Sequence, residues 1–235
     1  MKNKKTLARL ITLVMVVNLL SVFSAIPTNA ASGQYLAMPI NKTTVTCGYK
    51  NEAPGYYKQV PSHGTHYGTD MTGSPNPFYA SGNGVVLGLN KTAATTGVGR
   101  WVAIKYTNVI YGNVCRDLVV RYFHLASVDP NLSVGKSVNL NTKIGTYGNS
   151  GVLWQQMGAH LHVEVDTDIV YWNYTPTLSG AVDGLKGRSN GATDSTMLNP
   201  LNVFRLKKSA PENQTCSITY NADYRTRTSL PATFT

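Results

Sequence analysis

From about residue 43 onward, apolar and polar positions alternate in short bursts separated by turn residues, which is the two-residue period of strands. The stretches TTVTCGY (43–49), RWVAIKY (100–106) and DLVVRYFHL (117–125) concentrate Val, Ile, Tyr and Phe. FYASGNGVVLGLN (78–90) reads as strand, glycine turn, strand, and KSVNLNTKIGTYGNSG (136–151) as two short strands with glycine turns. HLHVEVDTDIVYW (160–172) reads as one further strand. No window carries the three-to-four residue spacing of a long amphipathic helix, and neither heptads nor an internal repeat is present. The pattern predicts a mainly β fold. Residues 175–199, rich in Gly, Ser and Thr, read as a surface loop, and NPLNVF (199–204) as the closing segment of the domain.

The first thirty residues break the pattern. A basic MKNKKTLAR is followed by the apolar run LITLVMVVNLLSVFSAI and then by PTNAAS, a small-residue context for cleavage. These are the three parts of a secretory signal peptide, and they place the mature start near Ala31, outside the cytoplasm. The competing reading is an uncleaved anchor, since the run approaches spanning length; Pro27 and the Thr28-Asn29-Ala30 site favour cleavage, with no stable membrane insertion afterwards. The organisation expected is signal peptide 1–30, lead-in 31–42, one domain 43–206, and a basic, polar tail 207–235 that can also be read as the start of an incomplete second module.

Charge narrows the partners only a little. The chain has 21 Lys and Arg against 11 Asp and Glu; removing Lys2, Lys4, Lys5 and Arg9 with the leader leaves a mature charge of +6. A moderate positive charge favours a polyanionic surface such as a bacterial envelope polymer. It argues against nucleic acid, because the basic residues are scattered and form no stripe. The three cysteines, Cys47, Cys115 and Cys216, match no zinc spacing. Export permits a disulfide, and Cys47–Cys115 is the pairing expected, with Cys216 in the tail.

The candidate chemistry lies in the histidines. All five fall in three windows: His63 and His66 in SHGTHYGTD, His124 in RYFHLAS, and His160 and His162 in GAHLHVEV. In an extended segment, His66, Gly68 and Asp70 share one face, so imidazole and carboxylate point together with open space between them. His160 and His162 share a face for the same reason. His66, Asp70 and one histidine of the His-x-His pair make three good zinc ligands, the number a catalytic zinc site uses while keeping a fourth position open. The histidines left over can act as base and acid or hydrogen-bond a developing oxyanion. That chemistry suits metal-assisted hydrolysis of an amide bond. A structural metal would instead fill the fourth position, and His124 or His160 can supply that ligand. No Gly-x-Ser-x-Gly elbow, phosphate loop or dinucleotide fingerprint is present. The acids are too scattered for a glycosidase pair, and no cysteine carries a local nucleophile signature.

HYGTD, YFHL, VGKSVNLNTKIGTYGNSG and GAHLHVEV follow one another in the order that marks the lysostaphin/LytM-type zinc metallopeptidases, a family of bacterial murein endopeptidases, and residues 43–203 resemble that family. The resemblance implies an antiparallel β-sheet domain with a substrate groove bordered by loops. It implies zinc held by His66, Asp70 and His162, with His160 and His124 as the catalytic pair; which of the two takes the proton stays open. It implies a secreted or wall-associated endopeptidase acting on stem or cross-bridge peptides of peptidoglycan. A catalytically weak wall-binding or regulatory module of the same fold is the alternative, although such members usually lose a ligand and this chain keeps all three. His63 is an extra histidine, read as loop surface. Val163 stands where an aromatic is commoner, on the opposite strand face, and Glu164 is expected to support the histidine side from behind. Tyr56 or Tyr57 is a candidate for holding the oxyanion.

Overall fold

The computed structural model describes residues 33–52, 64–92, 97–151, 158–205 and 218–220. The leader, Tyr56, Tyr57, His63 and Cys216 lie outside the described residues. Among the described residues thirteen strands are formed: β1 (Leu36–Ala37), β2 (Thr43–Cys47), β3 (Thr69–Thr72), β4 (Pro77–Tyr79), β5 (Gly84–Asn90), β6 (Arg100–Tyr111), β7 (Val114–Val128), β8 (Ser137–Val138), β9 (Lys143–Tyr147), β10 (Leu161–Asp166), β11 (Met197–Leu198), β12 (Phe204–Arg205) and β13 (Ile218–Tyr220). One main sheet runs β13-β2-β3-β10-β7-β6-β5-β8, with β9 against β7 and β4, and β11 continuing the edge of β10 that β3 begins. It is antiparallel except for β13 on β2; β1 and β12 form a separate parallel pair. The mainly β, antiparallel fold expected from the sequence is the fold found.

Alternation sends each long strand's side chains to two different cores. Val120 and Tyr122 of β7, and Leu161, Val163 and Val165 of β10, enter a large apolar core. Leu36, Met38 and Ile40, from the segment read as a lead-in, are buried in that same core. So are Leu201 and Val203 of the short helix α1 (Pro200–Val203), whose N-terminal amide at Leu201 is capped by the Asn199 side chain. Val119 and Phe123 of β7 enter the second core with Trp101, Ala103, Leu178 and Leu185. The last two come from the glycine-rich 175–199 stretch, which folds down onto this second face of the sheet.

Two expectations are corrected. β10 stops at Asp166 rather than running on to Trp172. Asp166 Oδ1 accepts the Asp168 amide at 2.9 Å, and Asp168 Oδ1 accepts the amides of Val170 and Tyr171 at 3.0 Å. These carboxylates offer the backbone a turn in place of the ladder. The Cys47–Cys115 bridge is not formed: both cysteines are free, Cys47 buried and Cys115 exposed near the tip of the β6–β7 hairpin.

Candidate metal centre

β10 lies between β3 and β7, and the register sets His162 opposite Asp70 on one side and Phe123 on the other. Directly paired residues point to the same face, so His162, Asp70 and Phe123 share the second face of the sheet. The Phe123 and His162 rings stack with centroids 5.5 Å apart and planes 6° from parallel. His66 precedes β3 and is held from its backbone: its amide donates to Asn51 Oδ1 at 2.7 Å, and its carbonyl accepts from the Lys50 amide at 2.6 Å. Lys50 and Asn51 belong to a tight turn with positive φ at both positions.

His124 reaches this face for a reason that alternation does not supply. With Tyr122 in the large core, His124 should follow it there. The pairing of β7 with β6 shifts between Tyr122 and Leu125, and His124 adopts φ +63. This bulge inserts one residue, so Phe123 and His124 both leave the large core and Leu125 returns to it. A left-handed backbone at a non-glycine residue is costly, and such strain gathers at functional sites.

The three residues expected to bind metal are brought together. His66 Nε2 is 3.1 Å from Asp70 Oδ1 and 3.0 Å from His162 Nδ1, and Asp70 Oδ1 is 2.8 Å from His162 Nδ1. A triangle of two imidazole nitrogens and a carboxylate oxygen at this spacing suits one ion at zinc–ligand distances of about 2.0–2.2 Å. Tautomers agree with that use. His66 Nδ1 lies 2.7 Å from the Gly48 carbonyl, which can only accept, so Nδ1 carries a proton and Nε2 is the nitrogen left for a metal, which would displace any proton held there. Burial works against charge on all three, but the mutual interaction wins. Asp70 is held well below the usual carboxylate range by His66 and His160, and the Asp70 charge lifts His66 well above the ordinary imidazole value. The same negative field draws a cation.

His160 and His124 flank the triangle. The His160 Nδ1 donates to Gly158 O at 2.8 Å, and its Nε2, buried and without a hydrogen-bond partner among the described residues, is 3.8 Å from Asp70 Oδ1. The His124 Nδ1 donates to Ser150 O at 3.0 Å, and its ring centroid is 5.1 Å from that of His160. Burial, reinforced by the neighbouring His160 and His162, pushes the His124 pKa down to about 3. The ring is therefore neutral near pH 7.

Two features escaped the sequence reading. Cys47 is the cross-strand partner of Asp70 across a bulge, and its sulfur forms with His66 and Asp70 a cluster of potential ligand atoms within 4.8 Å of one another. The triangle with His162 is tighter and is the better ligand set. The second feature is Arg121, fully buried beneath the site. Its Nε donates to Glu164 Oε2 at 2.8 Å, one Nη to Asp166 Oδ2 at 2.6 Å and the other to Trp172 O at 2.9 Å. Glu164 Oε1 accepts from Thr175 and Thr177 and sits 3.7 Å from His162 Nε2. The alternation of RYF with HVEV put Arg121 and Glu164 on this face, and that was the available signal.

Gly68 explains the spacing of the first motif. A β-carbon there would lie 2.5 Å from His162 Nε2 and 2.5 Å from the Val163 carbonyl. The carbonyl belongs to a paired strand and cannot retreat, so the imidazole must turn. Gly68→Ala should weaken metal affinity about tenfold to a hundredfold and cost about 1–3 kcal/mol of stability from overpacking. Titration against a chelator, alongside a thermal melt, checks this; unchanged affinity would contradict the packing argument.

Residues 64–174 match the profile of peptidase family M23, and all five residues of the site lie within them. A comparison with curated proteins finds no match. Solved structures similar to this chain include a zinc-containing peptidase from Vibrio cholerae, 26% identical over 57% of this chain and 37% of that one, with a TM-score of 0.41. They include the SpoIIQ–SpoIIIAH pore-forming complex, at 19% identity, 74% and 92% coverage and a TM-score of 0.47. Lysostaphin is similar at 20% identity, 72% and 54% coverage and a TM-score of 0.44. This chain spans 37% of the length of the Vibrio cholerae peptidase. With all five residues of the site inside the matched segment, the stretch from residue 64 to 174 carries the signature of peptidase family M23.

Proposed function

We propose that the protein is an exported zinc metalloendopeptidase that hydrolyses peptide bonds in bacterial peptidoglycan, in cross-links or cross-bridges. The observation that carries this reading is the donor triangle of His66, Asp70 and His162 with two further imidazoles beside it. A bound zinc would supply Lewis acidity, polarising the scissile carbonyl and making water a better nucleophile. Hydrolysis joins the water oxygen to the carbonyl carbon, breaks the carbon–nitrogen bond and delivers a proton to the leaving amine. His160 and His124 handle those protons in this reading. Each holds its Nδ1 proton on a backbone carbonyl, which leaves Nε2 for the reaction; the depressed pKa of His124 makes it the weaker proton acceptor of the two. Glu164 steadies His162 from behind. No helix among the described residues is long and apolar enough to cross a membrane; export is read from the leader.

The test is amine release from purified peptidoglycans of different cross-bridge types, using protein from Ala31 onward loaded with zinc. His160→Ala should retain its zinc and lose turnover about a hundredfold or more, the scale of general acid–base catalysis. Full activity in that variant would remove His160 from the chemistry. Tight wall binding by the parent, with no new amine termini from any wall, would favour a binding module of the same fold.

A further inference from the structure

We propose that Arg188 and the recess beside His66 form a carboxylate-binding subsite. The peptide it favours would carry a free carboxylate next to the scissile bond, rather than an uncharged glycine bridge. The proposal rests on the peptidase reading above and narrows its substrate.

The recess has a volume of about 200 Å³, and its walls include Thr65, His66, Tyr67, Leu178, Ser179 and Arg188. That is below the range of pockets that enclose a whole small ligand, and it suits one residue of a longer chain. Because His66 is both a wall of the recess and a corner of the donor triangle, a residue held there lies next to the bond being cut. Among the described residues no carboxylate lines the recess, and the Arg188 guanidinium is its one permanently charged group.

Arg188 is exposed, yet it is fixed at several points. Its backbone amide donates to Leu178 O at 2.9 Å, and its Nε donates to Pro176 O at 2.9 Å. Its guanidinium carbon sits 4.6 Å from the centroid of the Tyr67 ring. Tyr67 is itself 8% exposed and packed with Tyr49 and Met197, so the platform beneath the guanidinium is firm. The backbone at Gly187 is pressed against the same loop, where a β-carbon would meet Leu178 O at 2.4 Å. Among the described residues Arg188 has no ion pair; Asp194, the acid that feels its charge, is bound by Lys50 at 3.1 Å. A guanidinium already oriented by its Nε and by ring stacking keeps its two Nη groups as a planar fork. That fork matches a carboxylate in two parallel hydrogen bonds and loses little freedom in making them.

The experiment uses two peptides identical except that the residue next to the scissile bond carries either a free carboxylate or its carboxamide. Cleavage by zinc-loaded protein is measured as kcat/KM, and binding to the same protein is measured by calorimetry. The parent should prefer the carboxylate about tenfold to a hundredfold, the span expected for hydrogen bonds to a charged group. In Arg188→Gln that ratio should fall to near one with zinc content unchanged, and Arg188→Lys should restore part of it. Equal use of both peptides by the parent, or an undiminished ratio in Arg188→Gln, would overturn the subsite. A carboxylate preference in binding that depends on Arg188, without turnover of either peptide, would keep the subsite and sink the peptidase reading.

Discussion

Asp70→Ala should abolish zinc binding and hydrolysis together. Asp70 supplies the only carboxylate of the donor triangle, and its Oδ1 faces His66, His162 and His160 at 3.1, 2.8 and 3.8 Å. The side chain is 2% exposed and held anionic by those imidazoles, so it contributes charge that no solvent group replaces. Without it, neutral nitrogens alone face the ion in a buried space, and a divalent cation loses the counter-charge that offsets its desolvation. Zinc per chain after desalting should fall from near one to near zero. The affinity lost should exceed the roughly hundredfold that outer-shell changes cost. Asp70→Asn separates charge from shape: it keeps a side-chain oxygen, should fold as the parent does, and should still bind zinc far more weakly. Tight zinc retained by Asp70→Ala would sink the triangle as the metal site. It would move the ion toward Cys47 and His66, the other members of the buried cluster.

The parts of this site legible in the sequence are those that depend on local period. His66, Gly68 and Asp70, like His160 and His162, declare a shared face through two-residue spacing, and the fold places each set in one centre. The strands were legible for the same reason, because β-branched and aromatic residues alternate where the sheet is half-buried on each face. The illegible parts depend on pairing between distant segments. Nothing in DLVVRYFHL says that β7 bulges between Tyr122 and Leu125, since the bulge arises only where β7 meets β6. Without it His124 would enter the apolar core. Cys47 is a similar case: a shifted register with β3 sets it opposite Asp70, whereas cysteine counting pointed to a bridge. VYW after Asp166 has the composition of a strand, but two aspartate side chains divert its backbone into a turn. Recognition features were the least visible. Arg188 sits in a glycine-rich loop whose sequence has no period, and its role depends on Tyr67, 121 residues earlier in the chain.

Arg121→Met should be the most destabilising single change away from the donor triangle. The guanidinium is fully buried, and Glu164 and Asp166 owe their burial to it. Replacing an ion-paired group by an apolar one is tolerable only when every partner is replaced too. Removing one member strands the others, at about 3–5 kcal/mol. For a chain of this size that corresponds to a fall in Tm of about 6–20 °C. Acid should reveal the same network in the parent. Burial alone would raise the Glu164 pKa, but Arg121, and then His162, overcome it and hold it at about 2, below the ordinary 4.5. A carboxylate depressed in the folded state adds stability that is fully present above pH 4.5 and is lost as pH falls toward 2. In Arg121→Met the depression disappears and burial acts unopposed by the guanidinium. The histidines titrate over that range in both proteins, so the informative quantity is the difference: mild acidification from pH 7 toward 4.5 should narrow the gap in Tm between variant and parent, which opposes the direction expected of a generally weakened fold. Melts across that range, with zinc removed from both proteins, separate the two cases. A variant whose Tm falls in parallel with the parent's would mean that Glu164 does not depend on Arg121 for its charge. Its support of His162, 3.7 Å away, would then have to come from Thr175 and Thr177 alone.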